Sequence, residues 1–214
     1  MAAVLANTNL TLDNTSAITI PATPAAGQIV LYPKADKLLY YKDDAGVEQR
    51  VVTPLTPISG SIVQVVSTTK TNTFSTTSVC PTPADITGLA VTITPATNTN
   101  RVLVTLSMSI GSASSDQGVT VWVKRGSTDV YIGDAAGSRA QTSGGGSTGA
   151  EVGSLDMISI TFLDSPATTS ATTYKAQMAL IEAGTGFVNR THIDQDVNNR
   201  QRTASSITVM EVVA

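Results

Sequence analysis

The segment Val102-Leu103-Val104-Thr105-Leu106-Ser107-Met108-Ser109-Ile110 decides the fold class of this chain. Every second residue from Val102 to Ile110 is apolar, and hydroxyl side chains fill most of the positions between them. This period of two is typical of a β-strand with one buried face. The same alternation recurs in four further segments, Leu89/Val91/Ile93, Val119/Val121/Val123, Ile158/Ile160/Phe162 and Tyr174/Ala176/Met178/Leu180. The sequence therefore predicts an all-β protein.

The C-terminal part of the chain carries most of the predicted strands. Eight are predicted after residue 60, at 62–69, 89–94, 101–110, 119–125, 129–133, 157–163, 173–182 and 206–213. Eight strands without a convincing helix are typical of a β-sandwich of jelly-roll type. We therefore predict a jelly-roll-like C-terminal knob over residues 61–214.

The N-terminal part has shorter strand signals at 17–20, 28–32, 38–42 and 48–52, separated by turn residues. These predict a small antiparallel meander within an N-terminal attachment module, residues 1–53. Pro54 and Pro57 mark residues 54–60 as an extended, proline-rich connector. A module this small buries little apolar surface alone, so we expect it to pack against another domain or another copy of the chain.

Composition limits the function classes. The chain has 214 residues, 14% of them charged, and a formal net charge of -3. It lacks the basic stripe that neutralises phosphates, so we expect no nucleic-acid partner. No apolar run is long enough to cross a bilayer, and residues 1–6 do not resemble a secretory signal, so we expect no membrane insertion. A single cysteine, Cys80, fits synthesis in a reducing host cytoplasm.

Catalytic patterns are missing from the sequence. There is no Gly-x-Ser-x-Gly motif, and the single histidine, His192, has no recognisable nucleophile partner. The carboxylates that qualify by residue type lie in or beside predicted turns, where aspartate is common for structural reasons: Asp116, Asp129, Asp134, Glu151 and Asp164. We therefore predict a non-enzymatic protein without a cofactor.

The first candidate contact region is the glycine-rich loop predicted over 134–155, which includes Ser143, Gly145 and Ser147. Its small polar side chains suit a receptor-contact loop, but a mobile linker is the alternative interpretation. Trp122 is a further candidate, because it alternates with two valines on the opposite face of a strand. It either offers a flat surface to a sugar or subunit, or lies buried.

The second candidate region is the polar stretch 189–202, which supplies six candidate receptor or subunit contacts: Arg190, His192, Asp194, Asp196, Arg200 and Arg202. His192, Asp194 and Asp196 would be the ligands of a metal ion, but the stretch lacks a dedicated ligand spacing and we predict no metal site. The other interpretations are a solvated loop with Asp–Arg pairs, or side chains that fix the register at a trimer axis.

Six motifs follow one another along the C-terminal part of the chain: Gly60-Ser61-Ile62-Val63-Gln64-Val65-Val66, Lys70-Thr71-Asn72-Thr73-Phe74-Ser75-Thr76-Thr77, Arg125-Gly126-Ser127-Thr128, Phe162-Leu163-Asp164-Ser165-Pro166, Thr172-Thr173-Tyr174-Lys175 and Ser205-Ser206-Ile207-Thr208-Val209-Met210-Glu211-Val212. In this order they resemble a C-terminal domain of bacteriophage tail-fibre and virion-associated proteins. The resemblance covers residues 60–213. Residues 31–48 are similar to small hairpin modules upstream in such fibres.

The resemblance implies a homotrimeric, non-enzymatic protein on the outside of a phage virion, on the tail or the capsid. Because no long shaft precedes the meander, we predict a short tail fibre or fibre tip that binds a host-surface glycan or protein. Its N-terminal region would engage other virion proteins. The alternative is a capsid decoration, cement or head-fibre protein that binds and stabilises the capsid, and a cellular adhesin is a third possibility.

Overall fold

The computed structural model describes residues 20–36, 38–51, 57–113, 118–147 and 153–214. The chain separates into two compact units, Met1–Pro57 and Ile58–Ala214. Among the described residues, no helix is long and apolar enough to span a membrane.

The N-terminal unit contains an antiparallel meander of three strands, β1 (Val30–Pro33), β2 (Leu39–Lys42) and β3 (Glu48–Arg50). Tyr32 is buried and donates a hydrogen bond to Glu48, which also pairs with Lys34. These two donors lower the pKa of Glu48, and burial raises the pKa of Tyr32 to about 12. The predicted meander is confirmed. Of its predicted first strand, residues 17–19 lie outside the described residues and Ile20 is not in a strand.

The C-terminal unit contains eleven of the described strands. They are β4 (Ile62–Lys70), β5 (Phe74–Thr76), β6 (Ala84–Ile93), β7 (Arg101–Ser112), β8 (Gly118–Arg125), β9 (Thr128–Val130), β10 (Gly144–Ser147), β11 (Asp156–Asp164), β12 (Thr172–Leu180), β13 (Gly186–Val188) and β14 (Ser205–Val212).

Two antiparallel sheets face each other in this unit. In the first sheet, β4, β14, β7 and β11 are neighbours in that order, and β13 and β5 extend it beside the end of β7. In the second sheet the order is β6, β12, β8, β10, and β9 pairs with β8. Eight main strands make up the two facing sheets: β4, β6, β7, β8, β10, β11, β12 and β14. Numbered 1 to 8 along the chain, they follow one another as 1-8-3-6 in the first sheet and 2-7-4-5 in the second, which is the jelly-roll order. The predicted jelly-roll sandwich is confirmed.

The core lies between the inner faces of the two sheets. Five alternate residues of β7 are completely buried, as the alternation in the sequence predicts: Val102, Val104, Leu106, Met108 and Ile110. They meet apolar residues from β6, β8, β12 and β14 in one continuous cluster. Burial of an aliphatic side chain contributes about 1.5–3 kcal/mol, so this cluster is the main source of the unit's stability.

The glycine-rich segment was wrongly predicted to be wholly loop, because Gly144–Ser147 forms strand β10 beside β8. A Cβ atom on Gly145 would lie 2.9 Å from the carbonyl oxygen of Val119, and one on Gly146 would lie 2.9 Å from a carboxylate oxygen of Asp156. Gly145 therefore allows a close approach of two backbones, whereas the contact at Gly146 is with the end of a side chain that can move. Residues 148–152 of the predicted loop lie outside the described residues.

Two other short strands, β5 and β13, were also missed, and β6 begins at Ala84, earlier than predicted. β6 contains Gly88 at a positive φ of 82°, and the pairing of β12 with β6 shifts register close to it. This irregularity interrupts the alternation in the sequence, which is why the first half of β6 gave no strand signal.

Three of the motifs that carry the family resemblance meet at one end of the sandwich. The carboxylate of Asp164 accepts hydrogen bonds from Arg125 Nη1, at 2.7 and 2.8 Å, and from the hydroxyl of Tyr174 at 2.6 Å. Tyr174 is completely buried, which raises its pKa. Because Asp164 belongs to the first sheet and its two partners to the second, this cluster ties the sheets together.

Candidate functional site

The long connections 71–83 and 181–204 meet at the other end of the sandwich, which we call the loop end. Asn189 Nδ2 donates a hydrogen bond to the carbonyl oxygen of Asn72 at 3.1 Å. The backbone N–H of Ala113 donates to the carbonyl oxygen of Thr185 at 2.9 Å. Binding residues are often carried by loops that a rigid scaffold positions. The loop end is therefore a candidate contact site.

Residues 189–203 belong to the loop end, and Asn189 anchors them. This residue is completely buried and has a φ of 65°, a conformation that asparagine tolerates better than most residues. Its amide donates to the carbonyl oxygens of Lys70 (2.8 Å) and Asn72, and accepts from the Ser205 hydroxyl at 2.6 Å. Its carbonyl oxygen accepts from the N–H of Thr203 at 3.2 Å. The two ends of the loop are thus held together against the first sheet.

A second set of contacts braces the loop above this anchor. Arg190 and Arg202 face each other in an isolated antiparallel bridge, and both guanidinium groups bind Asp194. Arg202 Nη2 lies 2.6 and 2.7 Å from the two carboxylate oxygens, and Arg190 Nη1 lies 3.2 Å away. Hydrogen bonds from Arg202, reinforced by Arg190, lower the pKa of Asp194. The Asp–Arg pairing expected for a solvated loop is present.

Phe187, the last aromatic residue before the loop, supports this network. The guanidinium carbon of Arg190 lies 3.9 Å from the centre of the Phe187 ring, which is a cation–π contact. The ring of His192 lies nearly parallel to the same ring, at 5.8 Å between centroids. Phe187 was not predicted from the sequence, and Asn189 was included only as the first residue of the polar stretch. The short apolar run 186–188 immediately before the polar stretch was the available signal.

A surface cleft of about 360 Å³ is formed by side chains of this loop. It is lined by Asp194, Gln195, Asp196, Val197, Arg200 and Arg202. Guanidinium groups donate hydrogen bonds, carboxylates accept them and amides do both. Val197 adds an apolar contact, with 49% of its surface exposed. This combination suits a ligand that carries several hydroxyl groups together with an apolar edge.

The three side chains of the alternative metal interpretation do not converge. Asp194 is occupied by two arginines and His192 packs on Phe187, so these side chains do not converge with Asp196. Across the described ranges, no three histidine, cysteine or acidic side chains are grouped so as to hold a metal ion.

The remaining candidates do not join this site. Trp122 has only 4% of its surface exposed, and its indole N–H donates to the carbonyl oxygen of Gln141 at 2.7 Å. Ser143 is also buried, where its hydroxyl donates to the Val130 carbonyl oxygen. Both are therefore corrected to structural residues. Gly145 lies within β10, while Ser147 ends that strand and is exposed.

Of the five carboxylates considered for catalysis, two are held in ion pairs, two lie outside the described residues, and Asp134 is exposed on the surface. Asp164 is held by Arg125 and Tyr174, and Asp129 lies 2.6 Å from the ammonium group of Lys124. Asp116 and Glu151 lie outside the described residues. The geometry of Asp129 and Asp164 is that of structural ion pairs.

Comparisons with known proteins give a likeness in fold. No protein-family model matches the chain, and no curated protein does. A chain of T=1 particles derived from infectious bursal virus is 13% identical, with a TM-score of 0.38, over 85% of this chain and 44% of its own length. A chain from infectious bursal disease virus strain Gx is 12% identical, with a TM-score of 0.34, over 85% and 50%.

A third solved structure, the VP2 subviral particle of infectious bursal disease virus, is 11% identical over 81% of this chain and 48% of its own, with a TM-score of 0.36. This chain thus spans about half of the length of the three proteins. A likeness at these TM-scores carries no inference about function.

Proposed function

We propose that this chain is a non-enzymatic structural protein of a bacteriophage virion, a short homotrimeric tail fibre or fibre tip that binds the host cell surface. Its place would be the exterior of the particle. This proposal is supported by the succession of motifs along residues 60–213, by the hairpin-like segment 31–48 and by the jelly-roll scaffold.

The observation that carries the proposal is the braced loop 189–203. Asn189 fixes its base and Asp194 clamps it through two arginines, so the cleft beside Asp196 is held in position before a ligand arrives. A loop that is already ordered loses less conformational entropy on binding than a mobile one. The ligand that fits the mixed donors and acceptors is a host-surface glycan, or a protein surface with similar groups.

The N-terminal unit is the proposed attachment to other virion proteins. Its meander has only three short strands, and Ile29, Leu31 and Val47 are exposed in the unit. Small modules of this kind are stabilised by burying such side chains against a partner. Residues 1–19, which belong to the predicted attachment region, lie outside the described residues.

The location of the chain on the virion is the first test. Particles are labelled with an antibody raised against the full chain and viewed by electron microscopy. Label at the tail tip is the expected result. Label spread over the head would contradict the tail placement and favour a capsid decoration, cement or head-fibre protein.

Receptor binding is tested separately, by adding the purified full chain to host cells before infection. The wild-type chain is expected to reduce phage adsorption in a concentration-dependent way. Asp194→Ala and Asp196→Ala should weaken this competition at least about tenfold, since they alter the clamp and the cleft. Asp85→Ala removes an exposed, ion-paired aspartate from the second sheet and serves as the matched control. Equal competition by all four proteins would remove the cleft from the binding site.

A further inference from the structure

The outer face of the first sheet contains three complete rows of uncharged side chains. Each row crosses four hydrogen-bonded strands in the order β4, β14, β7, β11. The rows are Val65–Met210–Leu103–Leu163, Ser67–Thr208–Thr105–Thr161 and Thr69–Ser206–Ser107–Ser159. One row is apolar and two are hydroxyl-bearing. We call these twelve residues the hydroxyl face.

Charge is absent from the hydroxyl face although the same strands contain charged residues. Four charged residues of these strands lie at positions that alternate with the outward-facing ones: Lys70, Glu211, Asp156 and Asp164. Lys70 and Glu211 are buried, at 3% and 2% exposure. Arg101, paired with Val212 one row beyond the apolar row, is the first charge at the rim. Protein surfaces normally carry interspersed charged side chains that oppose association, and this face has none.

The face is open to solvent in the single chain. Val65 is 58% exposed and Leu163 is 36% exposed, and Ser67, Thr69, Ser159 and Thr161 are exposed as well. Strands about 4.8 Å apart and rows about 6.7 Å apart give the face an area of about 400 Å². Exposed Val63 and Met157 extend it at two corners. A standard interface covers about 800 Å² on each partner, so this face supplies about half of one.

The chemistry of the face fits a second copy of itself. Serine and threonine hydroxyls both donate and accept hydrogen bonds, so one such row can pair with another; Ser67 and Thr208 already do so at 2.8 Å within the chain. The outer face of the second sheet does not match, because it carries the ion pairs Lys124–Asp129 and Lys175–Asp85. Covering those groups would remove water from four charges. Loss of charge at the centre of the contact is also what distinguishes the cores of protein interfaces from other surface.

We propose that copies of this chain associate through the hydroxyl face. A two-fold contact would place the face against itself, whereas a three-fold assembly would turn the face of each copy towards the axis. The inference refines the homotrimer of the proposed function, and it stands whether the chain occupies the tail or the head. It makes the apolar row the centre of the contact, with the hydroxyl rows beside it.

The test compares the same charge on the two outer faces of the sandwich. Native mass spectrometry and analytical ultracentrifugation are applied to the full chain at about 50 µM, where even a Kd of about 10 µM gives mostly oligomer. Val65→Lys and Thr161→Lys place a charge on the hydroxyl face. Thr92→Lys places one on the second sheet, where Thr92 is likewise an exposed threonine on an edge strand. Circular dichroism confirms that each variant is folded.

The wild type and Thr92→Lys are expected to be oligomers of the same stoichiometry, and the other two variants monomers. A trimer would support both this inference and the proposed fibre, whereas a dimer that dissociates in the same two variants would support the face but not the trimer. A monomeric wild type would overturn both. Oligomers that persist in Val65→Lys and Thr161→Lys would overturn the hydroxyl face alone, as would equal dissociation of Thr92→Lys.

Discussion

The two outer faces of the sandwich differ in the charge that they carry. The outer face of the second sheet, which we call the charged face, carries the row Asp129–Lys124–Lys175, and Asp85 pairs with Lys175. The hydroxyl face of the first sheet has no charge in any of its three rows. One face is therefore suited to water and the other to a dry contact, although both belong to one small jelly roll.

The faces also differ in the exposure of their large apolar side chains. Trp122 on the charged face is buried because residues 131–142 supply a cover, with Gln141 accepting its indole N–H. On the hydroxyl face Val65 remains exposed, and the described residues supply no comparable cover. Within the described residues, the large apolar side chain is thus buried on the charged face and exposed on the hydroxyl face. The following expectations test this difference, from the largest effect to the smallest.

The largest effect is expected at the covered tryptophan. Trp122→Ala should lower the free energy of unfolding by about 3–5 kcal/mol, because it leaves a cavity beneath residues 131–142. Urea unfolding monitored by circular dichroism measures the change. Thr92→Ala on the same face, at an exposed position, is the control and should change stability by about 0.5 kcal/mol or less. A loss below about 1 kcal/mol for Trp122→Ala would mean that the cover contributes little.

An intermediate effect is expected where an ion pair joins the two sheets. Asp164→Asn weakens the charge-assisted bonds to Arg125 and Tyr174 and should cost about 1.5–3 kcal/mol. Asp85→Asn, at the solvent-screened pair on the charged face, should cost less than about 1 kcal/mol. Both are measured by the same unfolding assay. Equal costs would show that burial does not distinguish the two pairs.

Acid should weaken the fold through the paired carboxylates and leave the hydroxyl face untouched. The folded-state pKa of Asp85 is lowered mainly by Lys175, and that of Asp194 mainly by Arg202, from ordinary values of 3.8. Their stabilisation is therefore fully present above pH 3.8 and is lost as the pH falls through the lowered values. Thermal unfolding from pH 7 to pH 2 should show a decline that begins near pH 4. The decline should be smaller in Asp85→Asn.

The smallest expected effect is that of salt on association. At 1 M salt the Debye length is about 3 Å, so contacts between charged surfaces weaken strongly. Because the hydroxyl face has no charged side chain, the oligomer should keep its stoichiometry in sedimentation experiments from about 0.1 M to about 1 M NaCl. Dissociation at high salt would show that ion pairs, such as one made by Arg101 at the rim, hold the copies together.

Much of the scaffold was predictable from local sequence. Alternation in residues 101–110 located β7, and similar runs located β8, β11 and β12, since burial of one strand face demands a period of two. β10 was not predictable, because its glycines look the same whether they allow motion or a close approach to Val119 and Asp156. The acidic and basic residues of loop 189–203 were visible in the sequence. Their clamp on Asp194 was not, since it depends on how residues 190 and 202 face each other.

The sequence by itself determined that this chain is all-β, with an aliphatic core and hydroxyl groups opposite that core in β7. Only the tertiary structure decided that Thr105 and Ser107 continue into rows across β4, β14 and β11. Alternation is a local property of one strand, whereas register depends on pairing between residues as distant as Ser67 and Thr208. A shift of one residue would have turned the charged side chains of these strands outward. The uncharged face is therefore a product of register.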